Sequence, residues 1–191
     1  MQSQKSAIVL AGVPAVNKSL YHQIRFSVGD PAALLILPSE RVLILRDIEM
    51  DRARQDARAD RIACPADLVR IQSGIPGPPL LCPADFVPEG GLSGDRETAT
   101  AQALAECLVR EGIEQVVADR TLPLLFADEM QKRGITLTCD RDLGVLDRRA
   151  KDDEEVAALR AAQAVTENAI RLACERIAGA SAAADGRLMH E

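Results

Sequence analysis

The feature that most restricts the fold is a short pattern that occurs twice. A helical stretch ends in two charged residues, a glycine and an isoleucine, and an apolar run follows. The copies are Arg110-Glu111-Gly112-Ile113 and Lys132-Arg133-Gly134-Ile135. Glycine readily takes the left-handed conformation just past a helix end, so each copy reads as helix, stop, strand. The spacing predicts a helix from an Asp95 N-cap to about Glu111 and a strand over 113–118. A second helix, opened by Pro123 and closed by Gly134, leads to a strand over 135–139. Helices alternating with strands build an α/β layer.

The upstream half completes a sheet. Ala7 to Leu10 is a short strand ending at Gly12, and Asn17 to Phe26 alternates loosely and reads as a further extended segment. The apolar runs 32–37 and 42–45 are separated only by Pro38-Ser39-Glu40-Arg41, which predicts an antiparallel hairpin. Residues 49–59 read as a charged surface helix and 61–64 as a strand. Between Ser73 and Gly94, repeated prolines and glycines exclude a helix and predict a long loop. The fold class expected is α/β, a mixed β-sheet flanked by helices, with a long C-terminal helix. That helix starts at Asp152, has capping-box spacing between Asp152 and Glu155, and can run to about Ile177. Acids cluster at its N-terminal end, and Arg171 and Arg176 lie near its C-terminal end, both favourable to the helix dipole. Val156, Leu159, Val165, Ala169 and Leu172 form a stripe that requires a partner surface.

Composition excludes several functions. Aromatic residues are 2% of the chain and Trp is absent, so the core is built from Leu, Ile, Val and Ala, and stacking platforms for single-stranded nucleic acid are missing. A net charge of −6 disfavours phosphate backbones and anionic membranes. No apolar run approaches the ~20 residues of a membrane span. The stretch from Ala7 to Val16 behind Lys5 is broken by Gly12 and Pro14, and it reads as strand and turn rather than a signal peptide. Five cysteines without a CxxC pair predict reduced, mostly buried thiols in a cytoplasmic protein. The expected partners include neither nucleic acid nor membrane.

Catalytic patterns are missing as well. His22 and His190 are the only histidines, too few and too far apart for a zinc site or a His-dependent nucleophile. Phosphate-loop, dinucleotide and nucleophile-elbow motifs are absent. The carboxylates fall in helix-start and surface patterns. A mixed sheet opening with a hairpin is similar to ribonuclease H-like domains, whose metal chemistry needs a carboxylate on the first strand. Ala7-Ile8-Val9-Leu10-Ala11 has none, so a fold of that type would be catalytically empty.

The stretch Arg148-Arg149-Ala150-Lys151-Asp152-Asp153-Glu154-Glu155-Val156-Ala157-Ala158-Leu159-Arg160-Ala161-Ala162 resembles the junction of the M24 metallopeptidases, the Xaa-Pro aminopeptidases, prolidases and creatinase. Lys151, Glu155, Val156, Leu159, Arg160 and Ala162 match the pattern linking that family's N-terminal domain to the first helix of its catalytic domain. The stretch from Asn17 to Phe26 is loosely similar to an N-x-x-Y motif after the family's first strand, and Gly29-Asp30-Pro31 follows. The resemblance implies a ribonuclease H-like creatinase/prolidase N-terminal domain over 1–147. Residues 148–191 would be a linker and the first helix of a truncated C-terminal catalytic domain. It implies a non-catalytic accessory role in dimerisation and in access of short peptides. The two divalent metal ions (manganese, cobalt or zinc) would lie in the missing domain, with no catalytic or metal ligand in this chain, which alone would be inactive. A stand-alone α/β binding or oligomerisation module is the alternative. The resemblance makes Asn17, Tyr21, His22 and Arg25 candidate substrate-facing residues, with Arg25 able to grip a carboxylate and Tyr21 able to present ring and hydroxyl.

Overall fold

The computed structural model describes residues 5–65 and 93–189. The chain divides into two compact units, Met1–Arg148 and Arg149–Glu191. Most of the proline-rich loop expected between 73 and 94 lies outside the described residues, as do Cys82 and His190.

In the first unit the elements are β1 (Ser6–Gly12), α1 (Lys18–Ile24), β2 (Ala32–Ile36), β3 (Arg41–Ile44), α2 (Met50–Asp56) and β4 (Arg61–Ala63). After the undescribed segment come α3 (Arg96–Arg110), β5 (Gln115–Asp119), α4 (Leu124–Lys132), β6 (Thr136–Asp140) and α5 (Val145–Arg149). Among the described residues six strands form one sheet in the order β4-β3-β2-β1-β5-β6. The β1–β2–β3 run is antiparallel, with Ile8 opposite Ile36 and Leu34 opposite Leu43. β5 lies parallel to β1, β6 parallel to β5, and β4 parallel to β3.

Strand alternation sends side chains to two cores. Val9, Ala11, Leu35, Val42 and Ile44 face one side, where Leu104, Leu108, Phe126 and Met130 of α3 and α4 cover them. Leu10, Leu34 and Leu43 face the other, under Leu20, Ile24 and Ala53 of α1 and α2. The core is mainly aliphatic, as the composition requires, with Phe26 and Phe126 as its aromatic members among the described residues. The repeated helix–Gly–Ile–strand pattern forms as predicted. Gly112 and Gly134 take φ of 67° and 78°, and Asp95 caps α3 by accepting from the Thr98 amide. Among the described cysteines, Cys64 and Cys107 are buried but Cys139 and Cys174 are exposed, so burial is less complete than expected.

Three local expectations need correction. The segment after Asn17 is helical, not extended. Asn17 Oδ1 accepts from the Leu20 amide at 3.0 Å, and Leu20 and Ile24, four residues apart, enter the core together. An Asn cap with apolar residues at helical spacing outweighs loose alternation over so short a stretch. The charged helix is shorter than 49–59, because Glu49 belongs to a 3₁₀ turn, Ala57 leaves the helix with extended backbone, and the Arg58 amide donates instead to the Ile24 carbonyl at 2.8 Å. The short helix α5 was not anticipated at all.

The second unit is dominated by α6 (Asp153–Gly179), 27 residues long. Asp152 Oδ1 accepts from the Glu155 amide, and the Glu155 carboxylate accepts from the Asp152 amide, closing the predicted capping box. Leu159, Val165, Ile170, Leu172 and Ile177 are exposed along this helix.

Candidate functional site

β1, β5 and β6 run parallel, so their carboxyl ends share one edge of the sheet. In open α/β sheets that edge is where ligands bind. Here it carries the loops 13–17, 120–123 and 141–144, with α1 rising from the first. The end of β1, from which the first loop leaves, lies close against the second loop, because a Cβ on Gly12 would sit 3.4 Å from Pro123 Cγ. The third is locked to α1. A Cβ on Gly144 would sit 2.7 Å from Ser19 Cβ, and Gly144 has a φ of 69°. Ser19 Oγ also donates to the Leu143 carbonyl at 3.5 Å, and Gln23 Nε2 donates to Asp147 Oδ2 at 3.3 Å.

The four candidate residues all belong to α1 and its caps, but their roles differ. Asn17 is 3% exposed, and both ends of its amide are engaged. Its Nδ2 donates to the Ala11 carbonyl at 3.1 Å while its Oδ1 caps the helix. Such a residue fixes the loop, and its burial turns it away from any ligand at the surface. Tyr21 stands one turn further on and is 40% exposed, a ring at the surface rather than in the core. His22 is half-buried beside it. Arg25 ends the helix with φ 50°, the only positive φ of a non-glycine residue among the described residues, and its amide donates to the Tyr21 carbonyl at 2.7 Å. A left-handed arginine costs roughly 1–2 kcal/mol, so the surrounding structure holds it there. Tyr21 and Arg25 are therefore one turn apart on α1, with Asn17 as the anchor beneath them.

Sequence reading missed Asp119. It closes β5 at the same edge, is 4% exposed, and accepts a hydrogen bond from the Thr121 hydroxyl at Oδ2. Its Oδ1 is buried with no hydrogen-bond partner among the described residues. The signal was a carboxylate ending an apolar strand two residues before a threonine, which reads equally well as an ordinary turn. A second cluster was also missed. Asp30 pairs with Arg46 at 2.6 Å and with Arg96 at 3.6 Å. The hydrogen bond from Arg46 outweighs partial desolvation and, with the charges of both arginines, holds the Asp30 carboxyl below its ordinary 3.8.

Among the described residues no group of three or more His, Cys, Asp or Glu can hold a metal ion. The carboxylates have local roles: Asp95 and Asp152 cap helices, and Asp60 accepts from the Arg41 amide at 2.7 Å. This donor set does not fit the paired metal ions that the resemblance places in the family. No described helix is long and apolar enough to cross a membrane.

No family model matches the chain, and no curated protein matches it. Solved structures do. The X-Pro aminopeptidase of Thermotoga maritima superposes with a TM-score of 0.61 at 14% identity, over 93% of this chain and 43% of that one. The prolidase of Pyrococcus horikoshii gives 0.56 at 16% identity, over 93% of this chain and 40% of that one. The Xaa-Pro dipeptidase of Bacillus anthracis gives 0.54 at 14% identity, over 79% and 33%. The chain thus shares a fold with prolidases and Xaa-Pro aminopeptidases, as the junction motif implies. It spans 43% and 40% of the length of the first two.

Proposed function

We propose that residues 1–147 are the non-catalytic N-terminal domain of an M24-type Xaa-Pro aminopeptidase or dipeptidase. Residues 148–191 are then the linker and first helix of its catalytic domain. The observation that carries this reading is the extent of the fold likeness. It covers 93% of a 191-residue chain, more than the 148 residues of the first unit supply, so the match includes part of the capping-box helix. A mixed sheet that opens with an antiparallel hairpin supports a ribonuclease H-like topology. The uncharged first strand supports a domain without chemistry of its own.

In this reading the two divalent metal ions belong to the catalytic domain and supply the hydrolytic chemistry there. This chain contributes assembly as a homodimer and controls the approach of short peptides with proline at the second position. The exposed free thiols Cys139 and Cys174 support a cytoplasmic setting. Tyr21 and Arg25 face the substrate, Arg25 as a fork for a carboxylate and Tyr21 as a ring and hydroxyl. His22 flanks them, and Asn17 holds the loop.

The decisive test reads the coding sequence beyond Glu191. Asp, Asp, His, Glu and Glu in that order over the following ~220 codons would sustain the proposal, a length estimated from the usual size of a large domain. A stop codon at that position would overturn it and favour a binding module. In the full-length enzyme, Arg25→Ala should raise KM or lower kcat/KM with melting temperature nearly unchanged. Loss of stability with unaltered kinetics per folded enzyme would make Arg25 purely structural.

A further inference from the structure

The ladder between β1 and β2 stops one rung short. Its first pair is Ile8 with Ile36, although β1 begins at Ser6. Backbone direction explains the stop. The Leu37 amide donates to the Glu40 carbonyl at 2.9 Å, on the β3 side. Alternate residues of a strand point their amide and carbonyl to the same side. Ile36 and Pro38 therefore face β1, and Ile8 and Ser6 face β2. The residue due opposite Ser6 is Pro38, which has no amide to donate. Among the described residues the amide and carbonyl of Ser6 have no partner on this side.

A cleft of about 400 Å³ opens there, within the size range of small-ligand sites. It lies at the amino ends of β1 and β5, the opposite end of the sheet from the candidate edge. Pro38 lines it together with Leu37 and Ile113, which both pack on the core beneath α3 and α4. Lys5 and Glu111 supply its charged groups, and the two are not equivalent. The Glu111 carboxylate lies 3.4 Å from the Arg61 guanidinium, which offsets its charge. The Lys5 ammonium is exposed and donates to the Glu111 carbonyl over 3.5 Å. It has no carboxylate partner among the described residues. The cleft thus presents a main-chain donor and acceptor, an uncompensated ammonium and an apolar lining.

We propose that this cleft binds an N-acyl amino acid, with its amide N–H donating to the Ser6 carbonyl and its carboxylate accepting from the Ser6 amide and from Lys5. In such a ligand the amide and the carboxylate flank one carbon, the same spacing as the amide and carbonyl of a strand residue. Its apolar portion lies on Leu37 and Ile113. Acylation keeps the ligand nitrogen uncharged, which suits a cleft whose one acid is already paired with Arg61. An ammonium has three donors, so Lys5 accepts the new partner without losing the Glu111 carbonyl. This inference does not depend on the peptidase reading.

Amide NMR spectra of the full chain, titrated with N-acetyl-L-leucine, test it. The Ser6 amide should shift and saturate in the millimolar range, with Ile113 shifting alongside. N-acetyl-L-leucinamide lacks the carboxylate and should bind about tenfold more weakly, and Lys5→Gln should weaken the acid by about the same factor. Ser6→Pro removes the amide donor at the first residue of a strand, where proline is tolerated. Followed at Ile113, it should also weaken binding about tenfold while the urea midpoint stays unchanged. Pro38→Ala supplies the missing amide, closes the rung onto the Ser6 carbonyl and should weaken binding likewise. A Ser6 amide that does not move overturns the proposal. So does equal affinity for the acid and its amide, binding unchanged in Lys5→Gln, binding that survives both Ser6→Pro and Pro38→Ala, or saturable shifts confined to Tyr21 and Arg25.

Discussion

Gly144→Ala offers a quantitative test of how the candidate edge is held together. Two effects act at this position. The left-handed φ of 69° disfavours any Cβ, and the added carbon would meet Ser19 Cβ at 2.7 Å and Oγ at 2.8 Å. Gly134 is an internal control, because its φ is 78° but nothing lies within 4 Å of an added Cβ. The conformational penalty alone is about 1 kcal/mol, so Gly134→Ala should lose about that much. Gly144→Ala adds an overpacking cost, for a total of about 3 kcal/mol. At roughly 3 °C per kcal/mol for a chain of this size, melting should fall by about 3 °C and about 9 °C respectively. Urea titration followed by circular dichroism at 222 nm provides the free energies, with unchanged m-values showing that the variants expose the same surface on unfolding, and the entropy that alanine removes from the unfolded chain is common to both sites. Ser19→Gly in the Gly144→Ala background should recover about 1–2 kcal/mol as a coupling between the two positions. Equal losses at Gly134 and Gly144, or no coupling to Ser19, would refute the claim that the 141–144 loop is locked onto α1.

Other outcomes follow from the same geometry. Asn17→Ala removes both the cap of α1 and the bond to the Ala11 carbonyl, and should cost about 2 kcal/mol in the same titration. Arg25→Gly relieves the left-handed strain and should be about 1 kcal/mol more stable than Arg25→Ala; equal stabilities would mean the strain is absorbed elsewhere. Asp30 titrates below 3.8 when folded, so its ion pair contributes stability above that value and loses it as pH falls through the lowered folded pKa. A carboxyl NMR titration should show its midpoint rising towards 3.8 in Arg46→Ala, and an unmoved midpoint would discount the Arg46 contact.

What the sequence disclosed depended on how locally each element is encoded. The Gly112 and Gly134 stops, the Asp95 cap and the Asp152–Glu155 box are satisfied by atoms a few residues away, so a linear reading sufficed. The 32–45 hairpin was equally local. Helix α1 was misread because its seven residues give only two core contacts, Leu20 and Ile24, too few to establish a period. The candidate edge was legible only as a stretch of chain. The burial that makes Asn17 structural depends on Ala11, and the locking of α1 depends on Leu143 and Gly144, more than a hundred residues away. Asp119 carried no sequence signal beyond its place at the end of a strand.

The position of β1 in the sheet sets an order of events during synthesis. Its partner on one side, β2, follows within about two dozen residues, with Gly12 opposite Ala32. Its partner on the other side, β5, comes far later, with Ser6 opposite Gln115. At roughly 10 residues per second, a growing chain waits about ten seconds between these two pairings. During that interval the β1–β2–β3 meander can close on local contacts alone, while the inner edge of β1, with Val9 and Ala11 on one face and Leu10 on the other, has no neighbour. An apolar strand edge left open in this way invites wrong pairing, including with other nascent chains. Emergence of β5 is therefore the step at which the sheet commits to its native order, and a chain cut before Gln115 leaves this apolar strand with an open side.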